Sequence, residues 1–340
     1  MVTPTSFYLK ADVDLRDSVL RGLASLPRQI SNAQAKEALI YSGFEVAGVE
    51  PLDSTGTFHE LFDCEVVSGR RFVLKANRIS AVRVDTSFLS EAAISRVLAA
   101  ADIAHARTAE ADCSRQAVPF DFLLMDRVVG ISLRTIDSDE AAVVDTIPLL
   151  ARYLKRLHCL EGREWGPLEH TGALSDGLVS TLSTWSEYLT TRLDEHLSIV
   201  KGADLVSAAE LDEVQSVLRA SSTYTYASSP RLLHGDCGPQ NVLVDDSGRL
   251  VMIDWEDALL GDPLFDVAMW ATFQPERRWR TFFDEYYGPA WQPDTLFWAY
   301  FLRISLSKSV VRIRFNYQNV SGRAPASLRI QRALTGLRSL

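Results

Sequence analysis

The chain has 340 residues, of which 47% are hydrophobic and 23% charged, with a formal net charge of −9. The length points to two domains or lobes and the balance to an ordinary globular protein, and no run of roughly 18 apolar residues is present to span a membrane. Residues 1–294 hold 27 basic against 44 acidic side chains, a net of −17, which disfavours nucleic acid as a partner and raises the local concentration of a cationic ligand.

At the N-terminus, MVTPTSFYLKADVDLRD carries charges where a signal peptide needs its apolar core, so the expected location is cytoplasmic. Residues 12–41 read as helical, with Asn32 a candidate N-cap for AQAKEALIYSG and Gly43 a stop signal. From residue 44 the pattern alternates. FEVAGVEPL, FHELFDCEVV and RRFVLKANR predict three antiparallel strands with a tight turn at Ser68–Arg70. Between the first two lies Ser54-Thr55-Gly56-Thr57, whose single glycine makes it a turn by pattern, far from the GxxxxGK[ST] phosphate loop. A helix follows from Phe88 to Ala101, then a strand pair leading into FDFLLMDRVVG.

After Gly130 the texture turns helical. Val143, Ile147, Leu150, Leu154 and Leu157 recur at 3- and 4-residue steps within a helix over 139–160, and residues 174–219 read as one or two more amphipathic helices. LLHGDCGPQNVLVDDSGRLVMIDWE then breaks the rhythm, with NVLV and LVMID flanking a hairpin turn. Everything beyond Asp262 reads as helix with loops. A β-rich first third joined to a helical remainder is an α+β plan. Cys64, Cys113, Cys159 and Cys237 show no CxxC spacing, so free thiols are expected rather than a zinc site or a disulfide framework.

The chemistry concentrates in His234-Gly235-Asp236-Cys237-Gly238-Pro239-Gln240-Asn241 and in Ile253-Asp254-Trp255-Glu256. Phosphoryl transfer needs a carboxylate at the acceptor hydroxyl, ligands for Mg²⁺, and positive charge on the nucleotide phosphates. Asp236 and Asn241, five residues apart on one loop, can face a shared metal–phosphate centre, which Asp254, eighteen residues after Asp236, approaches from the far side of the hairpin. Lys75 ends the strand FVLK, where an unpaired ammonium is costly, and Glu91 lies sixteen residues on, in the following helix.

HGDxxxxN, a hairpin, IDWE and then GDPxxD is similar to the aminoglycoside phosphotransferase, choline kinase and homoserine kinase family, and resembles the HRDxxxxN and DFG pair of protein kinases. The resemblance implies a two-lobed, protein-kinase-like fold of α+β class, with an N-terminal lobe over residues 1–127 and a helical C-terminal lobe over 128–340. MgATP would lie between them, GTP being a donor that the motifs do not separate from ATP. Asp236 would deprotonate the acceptor alcohol, Asn241 and Asp254 would hold Mg²⁺, and Lys75 paired with Glu91 would position the α/β-phosphates. By position, Ser54, Thr55 and Gly56 would cover the nucleotide. The backbone of Asp126 and Val128 would meet adenine, with Met125 lining the pocket.

Asp262, Asp266, His158 and His234 read as structural, capping a helix or bracing the loop. Several departures separate the chain from protein kinases: Gly235 stands where they carry Arg, Gly238 where they carry Lys, and only eight residues divide Asp254 from Asp262, leaving no activation segment. The implied acceptor is therefore a small molecule. EWGPL, TWSEYL, NVLVDDSGRLVMIDWEDALLGD and AYFLRISL place the likeness nearest the hygromycin B phosphotransferases, over roughly residues 45–320. A cationic aminoglycoside or aminocyclitol is the first expectation and a related amino alcohol the second, with two rivals: a kinase of a neutral or anionic small metabolite, and a kinase-like protein that binds nucleotide without catalysis, against which the complete set Lys75, Glu91, Asp236, Asn241 and Asp254 speaks.

Three features stay open between readings. Residues 176–216 carry eight acids against two bases, either lining a cationic substrate site or forming solvated helix faces. All seven tryptophans lie beyond residue 164, as core or as stacking platforms. Arg303, Lys308, Arg312, Arg314, Arg323, Arg329, Arg332 and Arg338 make residues 295–340 purely basic, either to bind an anion or to pack against acidic helices.

Overall fold

A computed structural model describes residues 28–52, 59–78, 87–136, 140–168, 177–316 and 325–340. Helix α1 (Asn32–Tyr41) precedes β1 (Val46–Leu52), β2 (His59–Val66) and β3 (Arg71–Asn77). Then come α2 (Ser87–Ala100), β4 (Thr108–Asp112) and β5 (Phe122–Asp126). These strands form an antiparallel sheet of order β1-β2-β3-β5-β4. Helix α1 is capped by Ser31 rather than Asn32: Ser31 Oγ accepts from Gln34 N–H, and Gln34 Oε1 accepts from Ser31 N–H. Asn32 instead donates its amide to the Val49 carbonyl, tying the helix to β1.

Alternation along β3 decides where the chemistry goes. Phe72, Leu74 and Ala76 point to one face, where they bury a core with Phe62, Cys64, Phe122 and Leu124 beneath Ala35, Ala38 and Leu39 of α1. Lys75 must therefore point to the other face, toward α2 and Glu91.

The second lobe follows β6 (Gly130–Ser132), α3 (Leu133–Ile136) and α4 (Glu140–Leu157) with β7 (Gly162–Arg163), β8 (Trp165–Leu168) and β9 (Leu178–Leu182). Next are α5 (Trp185–Thr190), α6 (Leu193–Gly202), α7 (Ala208–Ser221), β10 (Arg231–Leu233), β11 (Val242–Asp245), β12 (Leu250–Met252) and β13 (Leu259–Gly261). Helices α8 (Pro263–Phe273), α9 (Trp279–Tyr286), α10 (Thr295–Arg314) and α11 (Ala326–Arg338) complete the chain. The predicted NVLV–LVMID hairpin is β11–β12, with β6 as a third strand on β11. Strands β10-β13-β8-β9-β7 form a further sheet. Its member β9 falls in the stretch read as helical. Here two-residue alternation (Leu178 and Ser180 buried, Val179 half-buried) competes with helical spacing over too few residues for either to dominate.

The main core gathers α4, α8, α9 and α10, and α10 is buried along most of its length. Trp185, Trp255, Trp270, Trp279 and Trp298 are buried and Trp165 and Trp291 pack against that core, which assigns the tryptophans to packing. Among the described residues no helix is long and apolar enough to cross a membrane. All four cysteines are free thiols.

Candidate active site

Lys75 is 5% exposed and meets three carboxylates: Glu91 Oε1 at 2.8 Å, Asp254 Oδ1 at 2.7 Å and Glu256 Oε2 at 3.0 Å. Burial alone would lower the affinity of the ammonium for its proton. The charges of Asp254, Glu256 and Glu91 reverse that and hold it well above the ordinary lysine range. Burial pushes Glu91 up from the usual carboxylate range, and Lys75 pulls it partly back. Glu91 Oε2 also accepts from Trp255 N–H, and His59 Nδ1 lies 3.3 Å from Glu256 Oε2. One ammonium among three carboxylates, whose oxygens lie within 4.8 Å of one another, leaves a local surplus of negative charge.

The strand that delivers Asp254 is stitched to the 234–241 loop. Ile253 N–H donates to the Asn241 carbonyl at 3.0 Å, and His234 Nε2 lies 3.0 Å from the Ile253 carbonyl. Asp254 itself sits at φ 66°, a left-handed conformation that Asp tolerates better than most residues. Across this seam Asn241 Nδ2 donates to the Asp236 carbonyl at 2.9 Å and to its Oδ2 at 3.2 Å. The lysine from the first lobe, the hairpin carboxylate and the loop thus form one hydrogen-bonded unit.

Asp266 holds the loop from below. Its carboxylate accepts from His234 N–H at 2.7 Å and from Gly235 N–H at 3.0 Å, and His158 Nε2 lies 3.2 Å away. Burial raises the Asp266 carboxyl, yet the His158 hydrogen bond and the neighbouring histidines hold it below the usual range. The Asp262 side chain caps α8 through Leu264 N–H, as expected from GDP. Gly235 lies at φ +77°, and a Cβ there would meet the Asp257 carbonyl oxygen at 2.0 Å, so no side chain fits where protein kinases carry Arg.

The Asp266 contacts give an expected result. Asp266→Ala leaves two buried backbone donors without their acceptor, at about 1–3 kcal/mol each, so a loss of about 2–6 kcal/mol is expected in urea unfolding at pH 7. Because the folded carboxyl is depressed, its contribution is present above about pH 4 and is lost as pH falls through its lower folded value. The gap between wild type and variant should therefore narrow in acid. A gap under about 0.5 kcal/mol at pH 7 would remove Asp266 as the support of the loop.

At the hinge, Asp126 N–H is spent on the Arg107 carbonyl, and its side chain pairs with Arg70. The Val128 carbonyl accepts from Arg127 Nη1 at 3.4 Å. Met125 is half-buried beside them on β5. Ser54, Thr55 and Gly56 lie outside the described residues.

Sequence reasoning passed over three residues. Glu256 and His59 join the lysine cluster, and Lys308 Nζ of α10 lies 2.8 Å from Asp236 Oδ1. IDWE offered a signal for Glu256, since Asp254 and Glu256 stand two apart on one tight turn. Lys308 offered none, being 72 residues from its partner. The other basic groups described in residues 295–340 mostly bind partners within the chain. Arg303 donates to the Leu189 and Thr191 carbonyls, Arg332 to the Gln274 carbonyl, and Arg338 pairs with Glu213. Of the acids in 176–216, Glu187 and Glu210 are bound into helix caps, while Asp194, Glu195 and Glu213 pair with arginines. Those five serve helix ends and surfaces rather than a substrate site.

Comparison with known proteins bears on the family and the fold. The model of the phosphotransferase enzyme family matches residues 62–300. The hygromycin-B 4-O-kinase of Escherichia coli is 22% identical over 286 residues, 80% of each chain. The structure of aminoglycoside phosphotransferase APH(4)-Ia superposes with a TM-score of 0.68 at 20% identity, covering 90% of this chain and 99% of that one. A thermostable mutant of that enzyme, in ternary complex with AMP-PNP and hygromycin B, gives 0.68 at 20% identity over 90% and 98%. The choline kinase LicA of Streptococcus pneumoniae gives 0.60 at 16% identity over 91% and 99%. The architecture is the two-lobed, protein-kinase-like fold that the motifs imply.

Proposed function

Because the chain belongs to the phosphotransferase enzyme family, we propose that it transfers the γ-phosphoryl group of ATP to a hydroxyl of a small molecule, releasing ADP and a phosphate monoester. The carrying observation is the convergence of Lys75, on a strand of the first lobe, with Asp254, on the hairpin whose strand is stitched to the Asp236–Asn241 loop. The division into lobes falls at residue 127, just ahead of β6, which pairs with the catalytic hairpin.

Asp236 orients the acceptor hydroxyl and takes its proton as the oxygen attacks phosphorus. Lys75 exchanges part of its carboxylate shell for the α/β-phosphates while Glu91 keeps it in place. The Asp126 carbonyl and Val128 N–H face adenine, and Met125 lines its pocket. Ser54, Thr55 and Gly56 cover the phosphates. Mg²⁺ suits the surplus negative charge around Lys75 and the all-oxygen donors. Asp254 and the amide oxygen of Asn241 would hold it, Asn241 Nδ2 being committed to Asp236. When bound, the ion neutralises phosphate charge. Such an enzyme works in the cytoplasm, where its nucleotide is.

The acceptor of first choice is a cationic amino sugar or aminocyclitol, supported by the net −17 of residues 1–294 and by the likeness to hygromycin-B kinase. One observation favours a second reading: an ammonium at Asp236 repels a like charge beside the reacting hydroxyl, which suits a neutral or anionic acceptor. A coupled ADP-release assay over aminoglycosides, aminocyclitols, choline, homoserine and thiosugars separates the two. Turnover with aminated acceptors is expected. Turnover confined to neutral or carboxylated acceptors would transfer the assignment to the second reading, and ADP release unmoved by any acceptor would defeat both.

A further inference from the structure

Asp236 creates an electrostatic difficulty that its own loop cannot resolve. The carboxylate that takes the acceptor proton must sit close to a phosphoryl group carrying negative charge on its oxygens, and like charges in a cleft repel. Residues 234–241 contain no lysine or arginine. Gly238, the position where protein kinases carry Lys, has no side chain to supply one. Lys75 is held on the nucleotide side by Glu91, Asp254 and Glu256.

The cation comes from elsewhere. Helix α10 is buried along most of its length, and Lys308 emerges from it within ISLSKSVV to put its ammonium 2.8 Å from Asp236 Oδ1. The Phe273 ring lies 5.8 Å from the same nitrogen and confines it on one side. Asp236 Oδ2 meanwhile faces Asn241 Nδ2. A lysine on a packed helix, reaching a buried carboxylate, is a poor device for stability alone, since desolvation offsets most of the Coulombic gain.

We propose that Lys308 is a catalytic residue, an ammonium that passes from Asp236 to the transferring phosphoryl group during the reaction. This rests on the phosphotransferase reading of the site. The acceptor oxygen forms its bond to the γ-phosphorus, and its proton goes to Asp236. The bond from the γ-phosphorus to the bridging oxygen breaks, and its electron pair leaves on ADP. As Asp236 becomes neutral, its hold on Lys308 ends at the moment when charge on the phosphoryl oxygens most needs a partner. An ammonium bound more tightly to the transition state than to the resting carboxylate lowers the barrier.

The test compares Lys308→Gln, Lys308→Arg and Asp236→Asn in the full chain. Single-turnover release of phosphate from MgATP, with water as acceptor, needs no knowledge of the natural substrate. Turnover with any active acceptor from the panel runs beside it, and affinity is read with a fluorescent ATP analogue. Lys308→Gln should lose about 100-fold in turnover and change nucleotide affinity by less than about threefold. Lys308→Arg should recover at least about tenfold over Gln, because it restores charge though not shape. If Lys308→Gln melts early, Lys308→Met, with a stem of similar length, replaces it. Turnover of the neutral variant within about threefold of wild type overturns the proposal, as does a loss that lies wholly in nucleotide affinity. An inactive Asp236→Asn beside an active Lys308→Gln would defeat this inference alone, an active Asp236→Asn would remove Asp236 as the base and this inference with it, and a wild type whose ADP release no acceptor moves would defeat the phosphotransferase reading beneath it.

Discussion

Asp236→Asn should lower phosphoryl transfer by about 10²–10⁴-fold and leave MgATP affinity within a few-fold of wild type. Asn keeps the size of Asp and one of the two oxygens that Lys308 Nζ and Asn241 Nδ2 contact, while Asn241 Nδ2 keeps the backbone carbonyl of residue 236, so the loop retains its main tie. What it loses is the capacity to accept the acceptor's proton. On the nucleotide side Lys75 keeps its pairs with Glu91, Asp254 and Glu256. The effect therefore belongs in turnover rather than in nucleotide binding. Steady-state kinetics with the best acceptor of the panel, beside a nucleotide titration, decide it. Retention of more than about a tenth of wild-type turnover would mean that Asp236 is not the base.

Local chemistry was legible in the sequence wherever the partners were close in the chain or repeated a period. Lys75 could be assigned to a strand because FVLK alternates, and Glu91 to a helix because the residues after Phe88 do not. Asp236, Asn241 and Asp254 were legible because one loop and one hairpin carry all three, with spacing fixed by the turn between them. The β11–β12 hairpin followed from its turn residues, where Asp245 accepts from Ser247 and Arg249 N–H.

What escaped was set by packing at a distance. Strand β9 is too short for its alternation to outweigh neighbouring helical spacing. The cap of α1 was misplaced by one residue, because Ser31 and Asn32 are both good caps and the Gln three positions on, not the first polar residue, selects Ser31. The basic run of residues 295–340 looked like one feature and is several. Arg303 ties α10 to the Leu189–Thr191 segment, Arg338 ties α11 to Glu213, and Lys308 alone of these three reaches Asp236. Charge counting cannot sort them, because which way each side chain points depends on the rotation of α10 against α8 and α11, a property of the whole core.

Asp254→Ala should also collapse activity, by about 10²-fold or more, but through a different dependence. Asp254 is the most exposed of the three carboxylates at Lys75, its side chain 32% accessible against 4% for Glu91 and 8% for Glu256. It is therefore the one placed to reach a ligand in the cleft while the other two keep Lys75 paired. That division predicts a folded variant: Lys75 retains Glu91 at 2.8 Å and Glu256 at 3.0 Å, so no buried charge is orphaned. Position 254 is left-handed, so Asp254→Asn, which tolerates that conformation better than Ala, controls for backbone strain. Both variants should need more Mg²⁺ for half-maximal rate at saturating ATP, and excess Mg²⁺ should restore part of the activity. Asp236→Asn should show no such displacement, because its carboxylate serves the acceptor. A Mg²⁺ titration that overlays wild type in both position-254 variants would exclude Asp254 as a metal ligand, leaving it only the task of holding Lys75.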